Sequence, residues 1–434
     1  MFAEITSGLA ILGKRFTPAE VAQGDRSLPA GDPVVAVSRR TRAGEAPLPV
    51  GRILRQAAAM WLATRIGYAI FTYFSVIFSA QRSHGSYSAV AFPPSRLLAA
   101  WNRWDTQWYG TIALHGYHEI HRAAFFPLYP ACIHVVTLVI GTANVVAASL
   151  IVSNLATLAA FAALGLLAAT VFGPNASSHT IRAFAAFPLA FFLVGGYSDS
   201  LFVALAFVSL FFARRDRFVL ACICAFLATF TRLFGIVLIL PLLWEYVVQH
   251  REAKTFRLSF SLVEGVIGVA LAVPAALILW ALFLRDAYGD PFAYLTVQKK
   301  DWGHYSVPPW EWFQSAFTTL HTLPGWSFLQ ARVLFDLVPV VIFAILTIVA
   351  ARRIPVSFSL YMLGTIAICV TSLVPLNFDP FTGQGRYMLM AAPVFILLGS
   401  WMRRYPWLDV TVVGLGFLLQ GLFTAFFLRG GWLV

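Results

Sequence analysis

Repeated uncharged apolar runs of about twenty residues leave this chain few ways to fold. A helix of that length just crosses a hydrocarbon layer, where backbone N–H and C=O groups find no water and must bond within the structure. Apolar runs, some shorter and some with a charge inside as at Arg65, occupy 53–79, 145–172, 182–196, 199–213, 218–231, 233–248, 259–284, 334–351, 357–376, 387–401 and 407–428. With 59% hydrophobic residues, only 12% charged and a mean hydropathy of +0.76, the chain reads as an all-α polytopic membrane protein. The net charge of +12 does not mark a nucleic-acid binder, because the basic residues stand as pairs and triplets between apolar runs. Cys132, Cys222, Cys224 and Cys369 lie in or beside these runs without zinc-type spacing, as packing residues do.

The basic clusters set an expected topology. Arg214-Arg215-Asp216-Arg217, the segment His250 to Arg257, Arg352-Arg353 and Arg403-Arg404 fall in short loops, and the excess of cytoplasmic Lys and Arg places them inside. Residues 1–51 are polar, rich in Gly and Pro, and read as a disordered cytoplasmic tail. The remainder, 52–434, forms one membrane domain with extracytoplasmic loops at 80–144 and 285–333. For Asp105 and Asp199 to share a face, 127–141 must be a juxtamembrane or re-entrant helix. About eleven spans follow, with the N-terminus inside and the C-terminus outside.

That arrangement collects Asp105, Glu119, Asp199, Arg232, Asp290, Lys299, Lys300, Asp301, His304, Asp379 and Arg386 at one membrane face. The densest stretch runs from Trp101 to Pro130, where aromatic rings surround Asp105. A carboxylate in that setting can take a proton from an attacking hydroxyl. Arg386 and Arg232, with Lys299 behind them, can hold an anionic leaving group. With no Walker loop and no G-x-G-x-x-G pattern after a strand, a donor bearing its leaving group on a lipid is the simpler inference. A transporter or flippase of lipid-linked sugars would carry inverted repeats and mid-depth polar groups; a noncatalytic scaffold would not need an acid and arginines on one face. Simpler roles stand beside these: Asp105 and Asp199 as helix caps, Arg232 and Arg386 as headgroup anchors. His115, His118, Glu119 and His121 lack the His-Glu-x-x-His order of a zinc site, so no metal is expected. Trp302, Trp310, Trp312 and Trp326 read as an aromatic belt. Asn175-Ala-Ser177 falls on the inside, where its glycosylation pattern is fortuitous.

The pattern Trp104-Asp105-x-x-Trp108-Tyr109-x-x-Ile112-Ala113-x-x-Gly116-Tyr117, followed by Phe125-Phe-Pro-Leu-Tyr-Pro130, resembles the PIG-V family, the GPI mannosyltransferase II group within the GT-C glycosyltransferases. Gly196-Tyr-Ser-Asp199, Thr231-Arg-Leu-Phe-Gly235, Gly289-Asp-Pro-Phe-Ala293, Gln298-Lys299, Trp302-Gly303 and Gln384-Gly-Arg-Tyr-Met388 extend the likeness. Asp199 stands where Glu is commoner, and His304 where Arg is. The resemblance implies a GT-C-like fold and inverting transfer of a sugar, usually mannose, from polyprenyl or dolichyl phosphate, without a cofactor. The acceptor would be a glycan, glycolipid or protein. The setting would be the bacterial inner membrane or the endoplasmic reticulum, with the site facing the periplasm or lumen. It also implies substrate contacts from Trp104, Trp108, Tyr109, Glu119, Tyr197, Asp199, Gln298, Trp302, His304 and Tyr387.

Overall fold

The computed structural model describes residues 48–82, 93–252, 260–375 and 379–431. Most of the expected 1–51 tail, and Asn377, lie outside them. The helices are α1 (Val50–Arg82), α2 (Ser95–Ala99), α3 (Asp105–His115), α4 (Leu128–Ile140), α5 (Val145–Phe172), α6 (Ser177–Ala185), α7 (Asp199–Arg214), α8 (Phe218–Thr229) and α9 (Ile239–Glu252). They continue as α10 (Phe260–Tyr288), α11 (Ala293–Lys300), α12 (Pro309–Thr322), α13 (Phe328–Ala350), α14 (Val356–Val370), α15 (Gln384–Tyr387), α16 (Ala392–Arg404) and α17 (Pro406–Leu428). A two-residue antiparallel ladder, β1 (Tyr305–Ser306) on β2 (Ser372–Leu373), pairs Tyr305 with Leu373.

The span count differs from the eleven expected. Among the described residues six helices are long and apolar enough to cross, and a seventh span forms if Gln384–Met390 and Ala392–Arg404 are taken together across their 72° bend. At 1.5 Å per residue the 12 residues of α8 and 15 of α14 reach only about 18 and 22 Å, short of the ~30 Å hydrocarbon layer. The 13-residue α4, read from sequence as a juxtamembrane or re-entrant helix, reaches about 20 Å and is likewise too short to cross.

The run 182–196 shows why apolar composition overcounts. Its chain leaves α6 at Ala185, passes Pro188 and makes only a short 3-10 turn over Ala190–Leu193. Phe191, Phe192 and Leu193 are all buried, so this stretch is apolar because protein surrounds it. Irregular backbone buried away from water must find bonds inside the protein. Here α5 supplies them: Thr157 Oγ1 donates to the Leu193 carbonyl at 2.6 Å, Asn154 Nδ2 to that of Val194 at 3.4 Å, and Ser153 Oγ to that of Tyr197 at 3.4 Å. These polar side chains, spaced along one face of an otherwise apolar helix, fix the stretch that leads into Asp199.

Several connecting segments are tied to distant parts of the chain. The backbone N–H of Leu128 donates to the Phe230 carbonyl at 3.1 Å, Tyr288 Oη to that of Glu119 at 2.8 Å, and Arg103 Nη2 to that of Leu428 at 3.2 Å. Gly196 permits a close approach: a Cβ there would lie 2.5 Å from Thr106 Cγ2 and 2.6 Å from Ser149 Oγ. The turn before Asp199 is therefore pressed against the first turn of α3, at the residue next to Asp105.

Candidate active site

Four charged side chains from four distant parts of the chain form one cluster. Arg232 Nη1 stands 2.7 Å from Asp199 Oδ2, Arg386 Nε 3.6 Å from Asp199 Oδ1, and Arg386 Nη1 3.4 Å from Asp105 Oδ2. Their exposures differ in a way that separates roles: the Asp199 side chain is 0% exposed and that of Arg386 7%, whereas Asp105 keeps 30%. Asp199 is thus an internal counter-ion, and Asp105 is the acid at the open edge.

Neither aspartate caps its helix by a side-chain hydrogen bond; each is the first residue, of α3 and α7 respectively, where the helix dipole favours a negative charge. The residue before Asp105 adopts an unusual backbone, with φ +50° and ψ −119° at Trp104. Strain of that kind, about 1–3 kcal/mol, persists where surroundings enforce it and is concentrated at functional sites.

Aromatic rings enclose the cations. The Arg386 guanidinium lies 5.2 Å from the Phe192 ring centre, 5.1 Å from that of Tyr197 and 5.8 Å from that of Tyr387, while Arg232 lies 5.4 Å from Tyr387. Tyr109 Oη donates to Ser198 Oγ at 2.7 Å. Burial, reinforced by the Asp105 charge, holds the Tyr197 hydroxyl well above its usual range, so it stays protonated. Burial, with the Arg386 charge adding to it, lowers His304 to about 4, so this imidazole is neutral at pH 7. Trp302 and Trp108 meet at 5.8 Å and both pack on Phe125, forming an aromatic wall beside α3.

Other residues expected at the site stand apart from the four charges. Glu119 is exposed and pairs with Arg122 at 3.0 Å. Lys299 is exposed, with its ammonium 5.4 Å from the Tyr305 ring. Gln298 donates to the Ala124 carbonyl at 3.4 Å. His121 pairs with Asp301 at 2.6 Å, and among the described residues no group of three or more His, Cys, Asp or Glu is placed to hold a metal. The four tryptophans of the expected belt divide: Trp312 is buried and Trp302 half-buried, while Trp310 and Trp326 are exposed.

Asp336 escaped the sequence reading. It lies on α13, 0% exposed, and accepts the backbone N–H of Gly385 at 2.9 Å and of Gly383 at 3.3 Å. A Cβ on Gly385 would come within 2.9 Å of the Phe335 carbonyl oxygen and 3.1 Å of Asp336 Oδ1, so only glycine permits this seat. The turn presenting Arg386 is thereby fastened to α13. A lone aspartate inside the run 334–351 was the available signal, since a charge in an apolar span needs a reason to be there.

Comparison with known proteins now meets this geometry. The family described as Mannosyltransferase (PIG-V) matches residues 57–367, a stretch that holds Asp105, Asp199, Arg232 and Asp336 but stops short of Arg386. GPI mannosyltransferase 2 of Yarrowia lipolytica is 24% identical over 231 residues, covering 52% of this chain and 60% of that protein's length. With most of its length inside the family pattern, the chain belongs to the PIG-V mannosyltransferases.

Proposed function

We propose that the protein is an inverting glycosyltransferase that moves mannose from a polyprenyl or dolichyl phosphate to an acceptor hydroxyl at the extracytoplasmic membrane boundary. The observation that carries this reading is the partly exposed Asp105 at the rim of a two-arginine, two-aspartate cluster whose other members are buried or nearly so. Asp105 takes the proton of the acceptor hydroxyl as its oxygen bonds to the anomeric carbon. The bond from that carbon to the phosphate oxygen breaks on the opposite side, and its electron pair leaves with the lipid phosphate. Arg386 and Arg232 stabilise that anion, so no strong general acid is needed. The 3.4 Å contact of Arg386 with Asp105 is the one at the open edge. A donor phosphate that takes over this arginine frees Asp105 to act as the base.

The name of the Yarrowia protein, GPI mannosyltransferase 2, supports a glycolipid acceptor of the GPI type. Membranes given labelled polyprenyl-phosphate mannose and a panel of glycolipid, glycan and protein acceptors are expected to transfer the label to one class only. In that assay Arg386→Ala is expected to lower kcat/KM for the donor by about 10²–10³, the effect of removing one preorganised electrostatic donor. Normal donor dependence in that variant would remove Arg386 from the phosphate site.

The proposed sidedness is tested by single cysteines in a background lacking the four native ones. Position 199 cannot serve, because Asp199 is fully buried. Lys300→Cys is expected to react with an impermeant reagent from outside, and Arg215→Cys only after the inner face is opened; both positions are exposed. Labelling of both from the same side would overturn the topology.

A further inference from the structure

The helix α12 has three faces, and each faces a different medium. Trp312, Ala316 and the partly buried Leu320, spaced at i, i+4 and i+8, pack into the protein. Glu311, Gln314 and Thr318 are polar and exposed. Between these faces runs a stripe of large exposed rings, Trp310 at 68%, Phe313 at 61% and Phe317 at 66%. With 3.6 residues per turn, this stripe lies about a quarter turn from the buried face and away from the polar one. A helix resting on a membrane boundary against a protein wall has this division: one side to protein, one to lipid, one to water.

The connection fixes where such a helix can be. Only the segment 323–327 separates α12 from α13, which begins its apolar span at Phe328. Trp326 is fully exposed at that junction, and Phe328 is 60% exposed beside it, so the row of rings runs on toward the span. The stripe carries no charge. Aromatic rings presented this way at the end of a span sit at headgroup level.

The buried face reaches the charged cluster. Trp312 Nε1 donates to Gln384 Oε1 at 2.9 Å, and Gln384 Nε2 donates to the Ser372 carbonyl at 2.7 Å. Gln384 is two residues from Arg386, on the turn that Asp336 holds from the other side. Trp312 also packs edge-on against Phe381, centres 5.2 Å apart.

We propose that α12 is a boundary helix whose Trp310, Phe313 and Phe317 are immersed in membrane lipid, and that this seating positions the Arg386 turn through Trp312 and Gln384. The first half concerns the lipid bilayer alone. The second rests on the reading of Arg386 as a phosphate-binding group.

Two measurements separate the halves. Full-length protein bearing a nitroxide at Phe313→Cys or Phe317→Cys, in the cysteine-free background and in phosphatidylcholine vesicles, is expected to relax with oxygen in preference to a water-soluble nickel chelate. The label at Gln314→Cys is expected to show the reverse. Chelate-accessible labels at 313 and 317 would overturn the lipid seat, and so would labels shielded from both reagents, since a covering protein would then occupy the stripe. This reading needs no activity. For the second half, Trp312→Phe deletes only the indole N–H and a little volume. It is expected to raise KM for polyprenyl-phosphate mannose about fivefold, the contribution of one neutral hydrogen bond, with kcat and protein yield close to normal. Changing Phe313 and Phe317 together to Asn is expected to raise the same KM in vesicles. An unchanged KM in both variants would refute the positioning role even with α12 in lipid, whereas an inactive parent protein would count against the enzymatic reading and leave the spectroscopic result standing.

Discussion

Replacing Asp105 by Asn is expected to reduce mannose transfer by about 10²–10⁴ while leaving the amount of folded protein near normal. The size is what general-base catalysis contributes. The selectivity follows from the site: Asn has the same shape, and the contact given up, Arg386 Nη1 to Asp105 Oδ2, is long at 3.4 Å and belongs to a side chain that is 30% exposed. Loss of an acid from the first turn of α3 removes a further ~0.3–1 kcal/mol of dipole stabilisation. Detergent-solubilised yield, thermal unfolding and single-turnover transfer measured together decide the matter. Full turnover in the Asn variant would mean that another group takes the proton.

Asp199 is expected to behave in the opposite way. It has no exposed surface and stands between Arg232 at 2.7 Å and Arg386 at 3.6 Å. Removing one partner of a buried ion pair strands the other, at about 3–5 kcal/mol, and here two guanidinium groups lose the same counter-ion. Asp199→Ala is therefore expected to fail at folding, lowering yield and thermal midpoint sharply. Asp199→Ala combined with Arg232→Met is expected to recover part of that loss, because one stranded charge is gone, and the non-additivity measures the coupling. A stable, normally expressed Asp199→Ala protein would refute the account of this residue as an internal counter-ion.

Much of the site was legible because its residues are conspicuous in an apolar chain. Asp105 amid tryptophans, Arg232 at the end of one run and Arg386 just after Gly383 and Gly385 were each identifiable alone, and the structure brings them together with Asp199. Glu119 and Lys299 were assigned to the same face from sequence but are not in the cluster, since a face assignment fixes depth and says nothing of position within that plane. Asp336 was missed because its partners are the backbone N–H groups of a turn some fifty residues on, a relation that no local pattern encodes. The helical membrane class followed from composition, but the number of crossings did not. Hydrophobicity reports removal from water, whether into lipid or into the protein's own interior, and the buried 190–197 stretch uses the second route.

The balance of two carboxylates against two guanidinium groups bears on how such a protein survives in its surroundings. A bilayer presents phosphate at every headgroup, and a bare pair of arginines at its edge would be occupied permanently by ordinary lipids. Because both cations are already satisfied from within, an incoming phosphodiester gains little by displacing a carboxylate. The resting cluster is in effect self-screened, and only a ligand with additional contacts has reason to break that truce.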